Sequence, residues 1–305
     1  MRIVQFMHPG DEIKVCGSQV PWNSGKHKRR LLRHLGCYIA GDNIAREGDL
    51  CFWNEYEAPT IATAINPPST GWEYAHHYHR IVQPIPLFHG KRNNDQDECC
   101  SNTDPCVFGD TFKYSNCQQV PNGDLWNLPE GSLILFGSLH GGCFYLDTVF
   151  VTNDLGVQYS VPISKHPHPF TTSKEYKIVT LDNIKPRKNN RSKNSANPII
   201  DKFMFYRGKL PVVNNRRVDD NDIFSFSPAR IFGDLGYNER CKIDLSFLNA
   251  LFQNLPGWRN FSSALNRKHK AITFNAGQVD VAAVWHAVRD AVRSASFELG
   301  YHFPW

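Results

Sequence analysis

The sequence predicts an α+β protein with a β-rich, barrel-like core of antiparallel and mixed strands, a basic N-terminal helix and amphipathic C-terminal helices. Short runs of β-branched and aromatic residues, separated by turn residues, fill the first half of the chain. Apolar residues spaced three and four apart appear near the C-terminus, which is typical of helices with one buried face. We therefore expect strands first and helices last.

Composition describes an ordinary globular protein. The 305 residues, 41 % of them hydrophobic, are enough to bury a full core. The chain contains no apolar run near the ~20 residues that a membrane span needs, and its N-terminus lacks the features of a secretion signal. We expect a cytoplasmic protein that does not bind membranes and whose nine cysteines are reduced. The net charge of +5 favours anionic partners only where the cations cluster.

Three groups of strands are expected in the first half. Residues 2–6 form a β-branched strand, and residues 49–54 and 60–65 form two more. Residues 132–137 and 143–152 are separated by a glycine-rich turn, which predicts a hairpin.

A cluster of positive charge follows the first strand. Residues 24–35 are expected to form a short helix that ends at Gly36, with Leu31, Leu32 and Leu35 as its inward stripe. Clustered cations repel one another unless an anion lies against them, so phosphate is the first partner to consider. The alternative is a solvated basic face. The cations are Lys26, Lys28, Arg29, Arg30 and Arg33.

The second half begins with a break in composition. Residues 185–197 run KPRKNNRSKNSAN and are expected to form a mobile loop, since they offer little to bury. The chain then divides into a β-rich region at 1–184, which is the candidate catalytic region, a basic loop at 185–198, and an α+β region at 199–305 packed on the first. Asp244 and Asp280 are expected to cap two helices, the second of which continues to Gly300.

Motifs for metals and for common nucleotide folds are missing from the sequence. The histidines at 76, 77 and 79 and the cysteines at 99, 100, 106 and 117 lack the spacing of zinc ligands. Neither a dinucleotide-binding glycine pattern nor a P-loop occurs. We expect no metal, and phosphate would be held in some other way.

The densest group of polar residues lies in three pieces of the first half. An aromatic ring beside a carboxylate suits a nucleobase or nicotinamide, because the ring stacks while the carboxylate accepts hydrogen bonds or stabilises positive charge. If the carboxylates face solvent, they are ordinary surface charges instead. The catalytic candidates are Glu55, Glu57 and His27. The candidates for binding nucleotide or phosphate are Trp22, Lys26, Lys28, Arg29, Arg30, Arg33, Trp53, Tyr56, Asn102 and Asp104.

Six distinctive phrases occur within the first 152 residues. They are His8-Pro9-Gly10, Trp22-Asn23-x-Gly25-x-His27-Lys28-Arg29, Phe52-Trp53-x-Glu55-x-Glu57, Asn102-Thr103-Asp104-Pro105-x-Val107-Phe108-Gly109, Tyr114-Ser115-Asn116-Cys117-x-Gln119 and Gly131-Ser132-Leu133-Ile134-Leu135-Phe136-Gly137. These phrases resemble those of a poorly characterised prokaryotic family, the nucleotide-modification-associated domain proteins of phage and defence loci. The resemblance implies a role around nucleic acid or nucleotides and names no reaction.

Two functions from different classes remain open. In the first, the chain is a transferase that modifies nucleic acid or a nucleotide, most specifically by moving ADP-ribose from NAD to a base. Such a protein would act as a toxin in anti-phage defence and would need an antitoxin or regulator as partner. Glu55-x-Glu57 resembles the Glu-x-Glu element of ADP-ribosyltransferases, although it comes early in the chain. In the second, a barrel binds modified nucleotides or bases and catalyses nothing.

Overall fold

The fold consists mainly of short strands. The computed structural model describes residues 2–7, 14–15, 18–19, 28–56, 63–65, 81–83, 103–115, 125–140, 143–161, 176, 201–244 and 280–304. The strands are β1 (Ile3–Met7), β2 (Lys14–Val15), β3 (Ser18–Gln19), β4 (Lys28–Ile39), β5 (Ala45–Tyr56), β6 (Thr63–Ile65), β7 (Ile81–Gln83), β8 (Lys113–Ser115), β9 (Leu133–His140), β10 (Cys143–Val151), β11 (Val157–Val161), β12 (Asp201–Arg207), β13 (Val213–Asn214), β14 (Arg217–Val218), β15 (Ser227–Ile231), β16 (Lys242–Ile243) and β17 (Glu298–His302), and the described helix is α1 (Val281–Ser294).

Four of these strands close into a small barrel. β4 and β5 form a long hairpin, β5 pairs with β15, β15 with β17, and β17 returns to β4, every pairing being antiparallel. Closure leaves no free edge among the four strands. β7 and β6 extend the sheet beyond β4. The predicted β-rich, barrel-like core is therefore confirmed.

A second sheet has the order β1-β9-β10-β16. β1 runs parallel to β9, and β9 and β10 form the predicted hairpin. β16 pairs with β10, and a separate three-stranded sheet joins β12 to β8 and β11. Strands from the expected C-terminal region are thus hydrogen-bonded to strands from the N-terminal region in both sheets and in the barrel.

The prediction of a basic helix over residues 24–35 is wrong for residues 28–35, which are the part of this range that the structure describes. Residues 28–39 form β4, which pairs with β5 in an unbroken register from Lys28 opposite Tyr56 to Ile39 opposite Ala45. The adjacent leucines that suggested a helical stripe serve two cores, because Leu32 belongs to the main aromatic cluster and Leu31 to a small cluster on the opposite face. A strand buried on both faces loses the alternation by which strands are recognised.

The amphipathic helix after Asp280 is present. The Asp280 carboxylate accepts a hydrogen bond from Ala282 N, and the indole of Trp285 donates to Phe224 O at 2.8 Å inside the second core. The helix ends at Ser294 and not at Gly300, which lies in β17. The helix expected after Asp244 and the loop at 185–198 lie outside the described residues. Among the described elements, no helix is long and apolar enough to cross a membrane.

Candidate functional site

A buried ion pair joins the first residues of β4 to the last residues of β5. Arg29 and Glu55 are opposite one another in the hairpin register, and Arg29 Nη1 lies 3.2 Å from Glu55 Oε2. Each side chain is 1 % exposed. The long hairpin therefore carries a cation and a carboxylate into the protein interior, where charge is costly unless it is paired.

A β-bulge in β10 adds a second carboxylate. The register of β10 against β9 shifts between Leu146 and Thr148, so Asp147 has no partner of its own in the ladder. Bulges re-aim side chains and are common beside active sites. Asp147 Oδ2 lies 3.2 Å from Arg29 Nε, and Arg29 Nη2 donates to Gly137 O at 3.2 Å. One guanidinium therefore holds two carboxylates and the main chain of β9.

Arg240 approaches Asp147 from another direction. Its Nη2 lies 3.2 Å from Asp147 Oδ1 and donates to Ser138 Oγ at 2.5 Å. Its guanidinium carbon is 4.5 Å from the ring centre of Tyr145 and 5.8 Å from that of Trp53. Burial lowers the pKa of Arg240 while Asp147 opposes that shift, and an arginine remains protonated under such conditions. We call Arg29, Glu55, Asp147 and Arg240 the ion cluster.

Neutral polar groups border the ion cluster. Asn54 Nδ2 donates to Thr148 Oγ1 at 3.1 Å, and the Thr148 hydroxyl lies 3.1 Å from Ser227 Oγ. Asn54 Oδ1 also accepts the Glu55 main-chain N–H at 2.8 Å. Asn54, which precedes Glu55, and Thr148, which follows Asp147, are therefore hydrogen-bonded to each other, and through Ser227 they connect β5, β10 and β15.

The ion cluster is hard to explain by stability alone. Removing charges from water costs several kcal/mol per ion, and well-packed apolar side chains often stabilise a protein as well as a buried ion pair or better. Groups whose presence conflicts with simple packing are concentrated at functional sites. Two carboxylates held by arginines beside two aromatic rings can accept protons, stabilise a developing cation and stack against a planar ring.

The structure brings together some of the residues predicted as a site. Trp53 and Glu55 are two residues apart and so share a face of β5, and Arg29 lies opposite Glu55 in the hairpin. Asp104 is buried, and its main-chain N–H donates to Glu55 O at 3.1 Å, so the segment after residue 102 does pack against this end of β5. The Glu55 carboxylate faces the interior and not solvent.

Arg33 does not join the ion cluster. It forms hydrogen bonds with both oxygens of Asp49, and Nη2 lies 2.5 Å from Asp49 Oδ2. Its guanidinium carbon stacks 3.6 Å from the centre of the Phe232 ring. Arg29 and Arg33 are each satisfied by carboxylates of this chain, so the prediction that both hold phosphate from a basic helix has no support in this geometry.

The other predicted site residues are described in part or not at all. Lys28 and Arg30 lie in β4 and Tyr56 in β5, but their side chains fall outside what is described. The remaining candidates lie outside the described residues altogether. They are Trp22, Lys26, His27, Glu57 and Asn102.

Sequence reasoning missed two members of the ion cluster. The sequence does single out Asp147, because it is the one charged residue in the apolar run of β10, CFYLDTVFV, and a lone charge in such a run indicates a special role. Arg240 follows Asn238 and Glu239 in a polar turn and carries no comparable signal. Its partner becomes visible only when β16 pairs with β10 and brings this turn to the bulge.

A metal centre is not indicated where side chains are described. Within those parts of the chain, no group of three or more histidine, cysteine, aspartate or glutamate residues is placed to hold a metal ion. The carboxylates of the ion cluster have arginines as their neighbours instead.

No family model, curated protein or solved structure matches the chain. The family resemblance drawn from sequence phrases therefore stays an expectation. The geometry of the ion cluster and of the segments that surround it is what bears on function.

Proposed function

We propose that the chain is an enzyme that modifies nucleic acid or a nucleotide, and that Glu55 and Asp147 are its reacting carboxylates. The observation that carries this proposal is the ion cluster, in which Arg29 lies 3.2 Å from both carboxylates and Arg240 lies over the rings of Tyr145 and Trp53. Groups held rigidly in a dry environment stabilise charge more strongly than the same groups in water, which favours a catalytic over a purely structural role.

The most specific form of the proposal is transfer of ADP-ribose from NAD, as donor substrate, to a base. The bond between ribose and nicotinamide breaks, nicotinamide leaves with the electron pair, and a base nitrogen forms the new bond to the ribose carbon. Glu55 would stabilise the positive charge that develops on the ribose, and Asp147 would accept the proton that the base loses. Trp53 supplies a ring on which a planar group can stack once its face is accessible.

A specific observation supports the second candidate, a non-catalytic barrel that binds modified nucleotides. Glu55 is fully buried, and Trp53, whose indole donates to Asn238 O at 3.0 Å, is nearly so. A carboxylate that stays covered touches no substrate and serves only to hold the barrel together. The two candidates differ in whether a reaction can be measured.

The test is an assay of purified protein with NAD and with RNA, single-stranded DNA and duplex DNA in separate reactions. Mass spectrometry of each polymer and of released nicotinamide reports transfer and NAD consumption. Glu55→Gln and Asp147→Asn keep the shape of each side chain and remove its charge. Asp154→Asn is the matched control, since Asp154 forms an ion pair with Arg207 away from the ion cluster.

The enzyme is supported if the two ion-cluster variants lose turnover by orders of magnitude while Asp154→Asn keeps it, with all three folded by circular dichroism. Wild-type protein that binds a polymer yet never changes its mass or consumes NAD favours the binding barrel. Wild-type turnover that both ion-cluster variants retain contradicts the proposed carboxylates.

A further inference from the structure

One short segment covers the face of the β4–β5 hairpin that carries the ion cluster. We call residues 232–240 the strap. On this face lie Leu31, Cys51 and Trp53, which form a small apolar cluster with Tyr237 of the strap. Because side chains alternate along a strand, Glu55 shares this face with Trp53. Among the described residues, the strap therefore covers the part of this face that adjoins Glu55.

Both ends of the strap are fixed by main-chain hydrogen bonds to strands. Phe232 N donates to Asp49 O at 2.7 Å at one end, and Cys241 O accepts from Leu146 N at 2.9 Å at the other. Between these anchors, Tyr237 N donates to Asp234 O and Glu239 N to Gly236 O, so the strap folds into turns of its own. It is thus a compact unit between two fixed points.

The conformation of the strap depends on glycine, and its tip is unpacked. Gly233 has φ +95°, a conformation that other residues rarely adopt, and a Cβ there would meet nothing within 4 Å. Leu235, at the tip, is 97 % exposed. The strap therefore has open space around its first turn and an outer side that is not held by packing.

Side chains tie the strap to the body of the protein. Arg230 donates to Leu235 O at 3.3 Å and to Glu239 Oε2 at 2.9 Å. Trp53 donates to Asn238 O, and Arg240 contacts Asp147 and Ser138 of the second sheet. Two of these ties involve residues that the proposed reaction would use. A short surface segment with an exposed tip can open locally at lower free energy than the whole fold, even when it is tied down at several points.

We propose that the strap is a gate, which swings between its anchors at Phe232 and Cys241 to admit substrate to the ion cluster. This inference rests on the proposed function, and it explains how a carboxylate that is fully buried here can reach a substrate. Opening withdraws Arg240 from Asp147, lifts Tyr237 from Cys51 and frees the indole of Trp53. The carboxylates then keep Arg29 as their remaining cation from the ion cluster.

Cys51 provides a native reporter of this motion. It is 1 % exposed and belongs to the same small apolar cluster as Tyr237. Burial raises the pKa of its thiol to about 12, so alkylation in the closed state is suppressed. Cys106 is 2 % exposed in the main aromatic cluster, away from the strap, and serves as the internal control. Gate opening exposes Cys51 and leaves Cys106 covered.

The experiment measures alkylation of each cysteine in the folded full-length protein with iodoacetamide, followed by peptide mass spectrometry over time. We expect Cys51 to react about tenfold faster than Cys106 or more, because local opening is more frequent than global unfolding. Glu239→Gln and Arg240→Gln each weaken a tie and should speed alkylation of Cys51 without changing Cys106. Arg207→Gln, which breaks the surface pair with Asp154, is the matched control and should change neither rate.

Equal, slow alkylation of Cys51 and Cys106 in wild type and in both strap variants overturns the gate. Faster alkylation of both cysteines together in Glu239→Gln also overturns it, because the Glu239 side chain is 63 % exposed and the result would mean that Cys51 reacts only when the whole fold is lost. The readout needs no turnover, so its failure is separable from failure of the enzyme. Fast alkylation of Cys51 in a protein without NAD turnover supports the gate and contradicts the proposed reaction. Slow alkylation of Cys51 in an active enzyme contradicts the gate and leaves the proposed reaction standing.

Discussion

The Arg29 guanidinium lies 3.2 Å from the Glu55 carboxylate, with 1 % of each side chain exposed. The same guanidinium lies 3.2 Å from Asp147, so one cation from β4 compensates carboxylates of both β5 and β10. Removing it leaves two buried negative charges with Arg240 as the remaining cation of the cluster. The pairing therefore links the barrel and the second sheet through charge as well as packing.

Replacing Arg29 with methionine should lower the free energy of unfolding by about 3 to 5 kcal/mol, because it leaves buried carboxylates uncompensated. Arg33→Met is the matched control on the same strand. Its ion pair with Asp49 is about one third exposed, so we expect a loss of about 1 to 2 kcal/mol from the pair and the Phe232 stack together. Urea unfolding followed by circular dichroism measures both, and equal losses would contradict the structural role of Arg29.

Gly137 is required by the close approach of β10. A methyl group at this position would overlap the main-chain oxygen of Tyr145 and the ring of Phe144, and Gly137 O also accepts from Arg29. Gly137→Ala should therefore cost about 1 to 3 kcal/mol through overpacking. Gly41→Ala is the control, because nothing lies within 4 Å of the added atom. A Gly137→Ala protein as stable in urea as Gly41→Ala would contradict this packing.

The first strand, the β9–β10 hairpin and the start of α1 were predicted from runs of β-branched and aromatic residues, from a turn and from a capping aspartate. Burial on both faces did not prevent this, because β1 also has neighbouring residues in two different clusters, Ile3 and Val4. The prediction for β4 was wrong because the first half of this strand consists of Lys, Arg and Leu, which are strong helix formers. Its true state depends on the twelve-residue partner β5, and local sequence does not encode that pairing.

The candidate site was predicted in part for a similar reason. Glu55, Trp53 and Arg29 come from one hairpin, so their proximity follows from sequence neighbours once the hairpin is known. Asp147 and Arg240 come from distant segments that meet through the bulge of β10 and its pairing with β16. Long-range pairings of this kind leave no local spacing to detect.

The N-cap of α1 makes a separate prediction. Asp280 accepts a hydrogen bond from Ala282 N at 2.9 Å, while Trp285 fixes the first turns of the helix in the second core. Asp280→Ala should lower the free energy of unfolding by about 1 kcal/mol, and Asp280→Asn, which can still accept the bond, by much less. Thermal or urea unfolding distinguishes them, and equal effects of the two changes would argue against the cap.

His34 makes the stability of the barrel depend on pH. Its ring packs 5.4 Å from that of Phe108 and 6.4 Å from that of Phe303, and its Nδ1 lies 2.5 Å from Leu35 O. Burial lowers the pKa of the imidazole below its ordinary 6.5, and this outweighs the opposing effects of the Leu35 carbonyl and Asp49. The folded protein thus holds His34 neutral at pH values where the unfolded chain protonates it.

The sign of the effect follows from proton binding. At pH values between the lowered pKa of His34 and the unfolded value of 6.5, the unfolded chain binds more protons than the folded protein. The contribution of His34 to the free energy of unfolding is therefore complete above pH 6.5. It is lost as the pH falls through the pKa of the folded state. Urea unfolding from about pH 7.5 to about pH 5.5 should therefore show a smaller loss of stability for His34→Gln than for wild type. Because both proteins contain the same carboxylates, the comparison removes the contribution of these groups to the pH dependence. Parallel pH profiles for the two proteins would mean that burial of this ring does not disfavour its charged form.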